Sequence, residues 1–316
     1  VSLDRYRALM AWVNEGRFGP WAPAIQSGIV RWLFEARSHR GRRPGRAAAQ
    51  VTEIAGRRIL ITGGSSGIGR ATALRLAGLG ADVVVVARRS AELQELCDEI
   101  VRTGGRAAAI ACDLTDEAAV AGLSERLIAE WGGVDVLINN AGRSIRRSVV
   151  ETLGRHADEL PENSRLLHDF ERTMAVNYFG AIALTLRLLP TMLASGGGHI
   201  VNVGTAGVQI GTMPKFSAYG GSKAALVAFG RSLDTELSGR GITVTAVHYP
   251  LVQTPMIGGT ENYRGLPALT PEEAAEWLVT AIRTRPVAVY PRFAGILRAL
   301  GTLSPRWADR MVLAAA

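Results

Sequence analysis

Cysteine is scarce in these 316 residues: Cys97 and Cys112 stand alone, too few for a disulfide framework or a thiolate metal cluster. That scarcity points to a reducing, cytoplasmic setting, and no metal is expected. No uninterrupted apolar run reaches the roughly 18 residues of a membrane-spanning helix, and the first 30 residues lack the basic, apolar and small-residue order of a signal peptide. A soluble or peripheral protein is expected. Lysine is nearly missing, since Lys215 and Lys223 are set against 34 arginines. The 36 glycines follow no Gly-X-Y period, which excludes a collagen-like chain, and a hydrophobic content of 47% excludes disorder.

A net charge of +8 raises the question of nucleic acid, but its distribution answers against it. Residues 1–50 carry +6 and residues 277–316 carry +5, which leaves −3 for the middle of the chain. A nucleic-acid enzyme would hold its basic stripe near its reaction centre, so no nucleic-acid partner is expected.

From Arg58 onward, short β-branched runs alternate with helix-length amphipathic stretches. Arg58–Thr62, Asp82–Ala87, Ala107–Cys112, Val134–Asn139, His199–Val203, Thr243–His248 and Val287–Tyr290 read as strands. Their continuous apolar character fits a parallel sheet covered on both faces, so the expected fold is α/β, a Rossmann-type doubly wound sheet of seven strands. Residues 51–291 form that domain. Residues 1–50 precede it as a helical extension and linker: Leu3, Tyr6, Met10 and Val13 fall at helical spacing, as do Ile25, Ile29, Trp32, Leu33 and Ala36, and Ser38–Arg46 reads as a solvated basic linker. Residues 292–316, with Phe293, Ile296, Leu297, Leu300, Trp307 and Met311, read as one amphipathic helix or a pair.

The first strand runs into Gly63-Gly64-Ser65-Ser66-Gly67-Ile68-Gly69 and then a helix. Glycines permit the sharp turn and close approach to a pyrophosphate, while the helix N-terminus offers unpaired N–H donors. Further on, Tyr219 and Lys223 lie four residues apart in a helical stretch, Ser217 to Leu237, and so share a face. A nearby ammonium stabilises a phenolate, which makes Tyr219 the candidate proton donor. The second strand ends Ala87-Arg88-Arg89, with guanidinium groups where a carboxylate would select NAD. NADP(H) is therefore the expected cofactor, with Arg88 the first choice for its 2′-phosphate and Arg89 the second.

Thr62-Gly63-x-x-x-Gly67-x-Gly69, Asn139-Asn140-Ala141-Gly142 and Tyr219-x-x-x-Lys223 together resemble the short-chain dehydrogenase/reductase family over about Glu53 to Pro291. The resemblance implies an oxidoreductase in which Asp113, with Leu114 beside it, contacts the adenine, and Asn140, Ala141 and Gly142 line the cofactor. It also implies that Asn177 joins a water relay to the lysine. A turn or capping role for Asp113 stays open.

Three departures stand out. The family's serine lies 13 residues before the tyrosine, where this chain has Ala206; Thr205, at 14, supplies a hydroxyl if the loop holds one extra residue, with Thr212 a distant second. The alternative is a site without that hydroxyl and a non-redox role. The segment Pro250-Leu251-Val252-Gln253-Thr254-Pro255-Met256 lacks the glycine that usually follows the proline, which puts in question the backbone contacts of Val252 and Thr254 to the nicotinamide amide. An insertion that includes Arg155–Asn163 reads as a lid, an oligomer contact or a surface loop.

The phrases from Asn140 to Ser148 and from Pro250 to Met256 look like a narrower actinobacterial branch that includes fatty acyl-CoA reductases and reductases of long-chain keto-lipids. That likeness implies an apolar, acyl-type substrate, with Arg143, Arg146 and Arg147 available to a carrier's phosphates. The other reading within the fold is a tailoring reductase of polyketides or terpenoids. A homo-oligomer is expected. The aromatic and basic residues at the two ends suggest peripheral contact with an anionic membrane, or else packing on the core.

Overall fold

The apolar runs become strands because each lies in a sheet covered on both faces, where a run without polar interruption can be buried. The computed structural model describes residues 31–39, 52–153, 166–258 and 266–314. Its eight strands are β1 (Ala36–His39), β2 (Arg58–Thr62), β3 (Asp82–Ala87), β4 (Arg106–Ala111), β5 (Val136–Asn139), β6 (Gly198–Thr205), β7 (Ile242–Tyr249) and β8 (Ala288–Pro291), laid out in the order β1-β8-β7-β6-β5-β2-β3-β4. All neighbours are parallel except β1 and β8.

Alternation along β2 and β3 divides the core between the two faces. Ile59, Ile61, Val83 and Val85 pack on one side with α1 (Gly67–Ala77), α2 (Ser90–Arg102) and α10 (Pro271–Thr284). Leu60, Val84 and Val86 pack on the other with α3 (Glu117–Trp131) and α6 (Gly180–Ala194). Each such fully buried side chain contributes about 1.5–3 kcal/mol relative to exposure. The ends of the helices follow local chemistry. Asp116 accepts from the Ala118 and Ala119 N–H groups at the start of α3, and Thr270 with Glu273 forms a capping box on α10, whose first residue is Pro271. The remaining helices are α4 (Val149–Thr152), α5 (His168–Met174), α7 (Ala206–Ile210), α8 (Ser217–Leu237), α9 (Pro255–Gly258), α11 (Arg292–Leu303) and α12 (Pro305–Ala314).

The sheet has one strand more than expected. Residues 31–34 are helical, as the periodicity of Trp32 and Leu33 implies, but Ala36 belongs to a strand rather than a helix, and Ser38 belongs to that strand rather than a solvated linker. β1 runs antiparallel along β8 in the register Ala36↔Pro291 to His39↔Ala288 and so covers backbone groups that an edge strand would leave unpaired. Glu35 pairs with Arg292 at 2.9 Å, Arg292 lies 4.9 Å over the Trp32 ring, and Phe34 meets Phe293 with centroids 5.3 Å apart. Part of the aromatic content at the two ends is thus packed internally, while Trp32, Ile296, Leu303 and Leu313 keep exposed surface. The expected helix around Leu3 to Val13 and the segment Arg155–Asn163 lie outside the described residues. The helical stretch His168–Ala194 is long and apolar enough to cross a membrane by length and composition, but Leu184, Leu188 and Met192 on it are buried against the sheet.

One ion pair ties the start of β2 to the start of β5. The Arg58 backbone N–H donates to Asp135 Oδ2 at 2.8 Å, its Nη2 donates to Oδ1 at 2.8 Å, and its Nη1 donates to the Trp131 carbonyl at 2.7 Å. Burial pushes the Asp135 carboxyl up, but the Arg58 bonds and charge outweigh it and hold the group below the ordinary aspartate value. Asp135→Asn is expected to cost about 1–3 kcal/mol of stability at neutral pH. The folded carboxyl titrates below its unfolded value of about 3.9, so this stabilisation is complete above that pH and is lost as the pH falls through the folded value. Urea unfolding at neutral pH and near about pH 3 checks it, since the gap between variant and wild type must shrink in acid. An equal gap at both pH values would contradict the assignment.

Candidate active site

The turn between β2 and α1 is held in shape by its own glycines and by the end of β5. Gly63 and Gly67 adopt φ of +70° and +54°, which favours glycine. A Cβ on Gly69 would overlap the Gly63 carbonyl and the Asn140 amide, so helix and strand close tightly. The Thr62 hydroxyl accepts from the Asn140 and Ala141 N–H groups at 3.0 Å each, and Asn140 Nδ2 donates to the Thr62 carbonyl at 2.8 Å. Ser66 is the extended N-cap of α1 and makes no capping bond, and the first turn has no acidic residue. The positive end of the helix is therefore presented by backbone alone, which suits a phosphate.

Behind Gly142 three elements converge. α8 carries Tyr219 and Lys223, and Lys223 is buried, with Nζ donating to the Val203 carbonyl at 2.9 Å. Burial lowers its pKa to about 8. A π turn, Ala175–Phe179, joins α5 to α6 and carries Asn177, which is fully buried. Such turns insert a residue into a helix and recur at functional sites. Asn177 Oδ1 accepts from the Arg143 N–H at 2.7 Å, and its Nδ2 donates to the Arg143 carbonyl and to Ser222 Oγ, both at 2.9 Å. Ser222 Oγ donates to the Tyr219 carbonyl at 2.7 Å, which links Asn177 to the helix of the tyrosine. A Cβ on Gly142 would stand 3.1 Å from Asn177 Oδ1 and 3.2 Å from Lys223 Nζ, so only glycine lets both groups reach this point without displacement.

The family profile described as short chain dehydrogenase matches residues 57–264. The chain belongs to this family. It is 46% identical to a fatty acyl-CoA reductase of Mycobacterium tuberculosis over 90% of this chain and 95% of that protein, and 47% identical to a fatty acyl-CoA reductase of Acinetobacter baylyi over 74% and 75%. Among solved structures it resembles a 3-ketoacyl-(acyl-carrier-protein) reductase of Brucella melitensis complexed with NADH, at 28% identity and TM-score 0.63 over 74% of this chain and 96% of that one. It also resembles a metagenomic short-chain oxidoreductase in complex with NADP, at 28% identity and TM-score 0.59 over 75% and 94%.

This short-chain dehydrogenase holds a cavity of about 830 Å³, within the range of small-molecule sites. The residues expected in the glycine-rich turn, at the cofactor and around Tyr219 line it, except Gly69 and Asn177, which lie outside its lining. Arg89 is tied to Glu92 at 2.9 Å and donates to Ser65 Oγ at 3.0 Å, whereas Arg88 makes no ion pair among the described residues. Asp113 Oδ1 accepts both the backbone N–H and the hydroxyl of Thr115, at 3.0 and 2.9 Å, so it is a turn residue that also borders the cavity. Those bonds, with the charge of Arg88 in support, hold its carboxyl below the ordinary value against the opposing effect of burial.

Thr205 ends β6 in an extended conformation and lines the cavity, while Thr212 does not. The carbonyl of Thr205 faces His248 Nδ1 at 3.2 Å. Burial lowers the His248 pKa to about 4, so the ring is neutral near pH 7 and donates from Nδ1 to that carbonyl. The sequence reading missed His248 and Ser222, both of which fix backbone rather than reach the cavity. Val252 and Thr254 both line the cavity. A parallel bridge from Val252 to Leu269 pins the segment, and Thr254 Cγ2 packs against Gly67. Among Arg143, Arg146 and Arg147, only Arg143 lines the cavity, because Arg147 turns to Asp169 at 2.7 Å. Among the described residues no group of three His, Cys, Asp or Glu is placed to hold a metal.

The buried ammonium has a consequence for stability. The unfolded chain binds the proton of Lys223 more tightly than the folded one, so stability rises as the pH climbs from about 8 to the unfolded value, and the whole penalty is present below that window. Lys223→Met is expected to raise the melting temperature at neutral pH, by more than the lost bond to Val203 subtracts, while it removes turnover. Melting curves at neutral pH and near about pH 10 check this, because the gap must narrow at the higher pH. A variant less stable than wild type at neutral pH would contradict the account.

Proposed function

We propose that the protein is an NADP(H)-dependent reductase of long acyl groups presented as thioesters. The observation that carries this reading is that one cavity joins the glycine-rich turn, an Arg88 without an ion pair, the Tyr219–Lys223 pair and an apolar wall of Ile210, Met213, Phe216, Met256, Ile257 and Phe293. The likeness to two proteins named fatty acyl-CoA reductase supports the substrate class.

A reduced nicotinamide, when bound, supplies the hydride. The open N-terminus of α1 suits its pyrophosphate, and Arg88 suits a 2′-phosphate through paired N–H donors. Tyr219 supplies the proton that the substrate oxygen needs once its carbonyl carbon has gained a hydride. The charge of Lys223 favours the resulting phenolate, and Asn177 keeps Gly142 and the tyrosine helix in register with it. The Thr205 hydroxyl takes the part of the family's serine, donating to the substrate oxygen as charge grows there. For a thioester, release of that proton from oxygen as the C–S bond breaks leaves an aldehyde and a thiolate, which is protonated on departure.

NADPH is expected to bind at least about tenfold more tightly than NADH, a difference of about 1.4 kcal/mol, and Arg88→Ala is expected to bring the two affinities together. Fluorescence titration of both cofactors with each protein measures it, alongside cofactor oxidation with a long-chain acyl thioester. Equal affinities in the wild type would overturn the cofactor assignment, and no oxidation of NADPH by any long-chain thioester would overturn the substrate assignment.

A further inference from the structure

The order of the strands divides the cavity by polarity. Six large apolar residues of its wall follow β6, β7 and β8: Ile210, Met213 and Phe216, then Met256 and Ile257, then Phe293. Of its cations, Lys223 is buried on α8 and Arg89 is held by Glu92, while Arg88 follows β3, Arg143 follows β5 and Arg172 comes from α5. Since the sheet runs β8-β7-β6-β5-β2-β3, the strands that lead to Arg143 and Arg88 lie on the other side of β6 from those that lead to Met256, Ile257 and Phe293.

Arg143 and Arg172 are not needed by the cofactor reading, which uses the α1 terminus and Arg88. Both are nonetheless built into the catalytic end. Asn177 grips the Arg143 backbone on both its N–H and its carbonyl, and Arg172 lies five residues before Asn177 on the same run of helix. Among the described residues neither makes an ion pair. Arg147 has taken Asp169, and Arg172 meets the His168 ring, at 3.2 Å from Nη1. Burial and the like charges of Arg172 and Arg88 hold the Arg143 guanidinium below its usual range, with only Asp169 acting the other way. Cations gathered at a cavity mouth in this way favour a polyanion.

We infer that Arg143 and Arg172 form a phosphate-binding subsite for the carrier half of the substrate, a phosphorylated thiol of the coenzyme A type, while the acyl chain occupies the apolar half. The inference rests on the acyl-thioester reading and adds to it an orientation: carbonyl at Tyr219, chain toward Phe293, phosphates toward α5. Guanidinium groups suit the task because they meet phosphate oxygens with paired donors.

The test pairs one acyl chain on two carriers, palmitoyl-CoA and the phosphate-free S-palmitoyl-N-acetylcysteamine, with wild type and the Arg143→Gln/Arg172→Gln double variant. The variant is expected to raise the KM for palmitoyl-CoA at least about tenfold, the loss of one charge-assisted bond or more, and to leave the KM for the phosphate-free thioester nearly unchanged. Equal effects on both substrates would overturn the subsite, as would a matching loss of NADPH affinity, which would give the two arginines to the cofactor. Calorimetric titration of coenzyme A into NADP⁺-saturated protein reads the subsite without turnover. Binding that the variant weakens supports it, and binding that is absent from the wild type or unaltered in the variant overturns it. A wild type that binds coenzyme A but reduces neither thioester would instead overturn the functional reading. If the double variant fails to fold, each single Gln variant is run through the same comparison.

Discussion

Lys223 sits out of water with its ammonium donating to the Val203 carbonyl, and the part of the cavity around it is arranged to suit that placement. Burying a cation is costly, and its lowered pKa is the direct sign of that cost. The surrounding features make sense as supports. Gly142 is glycine so that the ammonium and the Asn177 amide can both approach it. The π turn brings Asn177 inward, where its amide fixes the Arg143 backbone on one side and Ser222 on the other. The sequence otherwise uses arginine almost throughout, and a planar, always-charged guanidinium is the wrong shape for this position.

One residue of the cavity's apolar wall comes from outside the residues that match the family profile. Phe293 lies beyond residue 264, at the start of α11, and is backed by Phe34 from the segment that precedes the matched region. The same segment supplies β1, which covers the edge of β8. Edge protection and the seating of Phe293 are therefore linked: the Glu35–Arg292 pair and the Trp32–Arg292 contact hold the segment of β1 to α11. The residues that match the family profile hold the glycine-rich turn, Tyr219 and Lys223, and the flanking segments add Phe293 to the cavity.

The features that were legible in the sequence are those with local causes. Continuous apolar runs marked the seven strands β2 to β8 to within a residue or two, and glycines between a strand and a helix marked the turn at Gly63 to Gly69. A four-residue spacing placed Tyr219 and Lys223 on one face of α8. What was missed has distant causes. Ala-Arg-Ser-His carries no alternation, and it is a strand only because β8 offers its backbone an edge. The π turn at Asn177 has no composition of its own. Arg147 was grouped with Arg143 by adjacency, yet Asp169, 22 positions on, draws it away and leaves Arg172 as the companion of Arg143 at the cavity. His248 and Ser222 act on backbone carbonyls, a role that no spacing announces.

The central claim is that Tyr219, beside a buried Lys223, supplies the proton in a reaction whose cofactor binds elsewhere in the same cavity. The most direct measurement is a comparison of wild type with Tyr219→Phe, with NADPH affinity read by fluorescence and turnover of a long-chain acyl thioester read by absorbance. The account predicts nearly unchanged NADPH affinity and a turnover lower by about 10²–10⁴-fold, the usual worth of a positioned general acid. Wild-type turnover in the variant would contradict it.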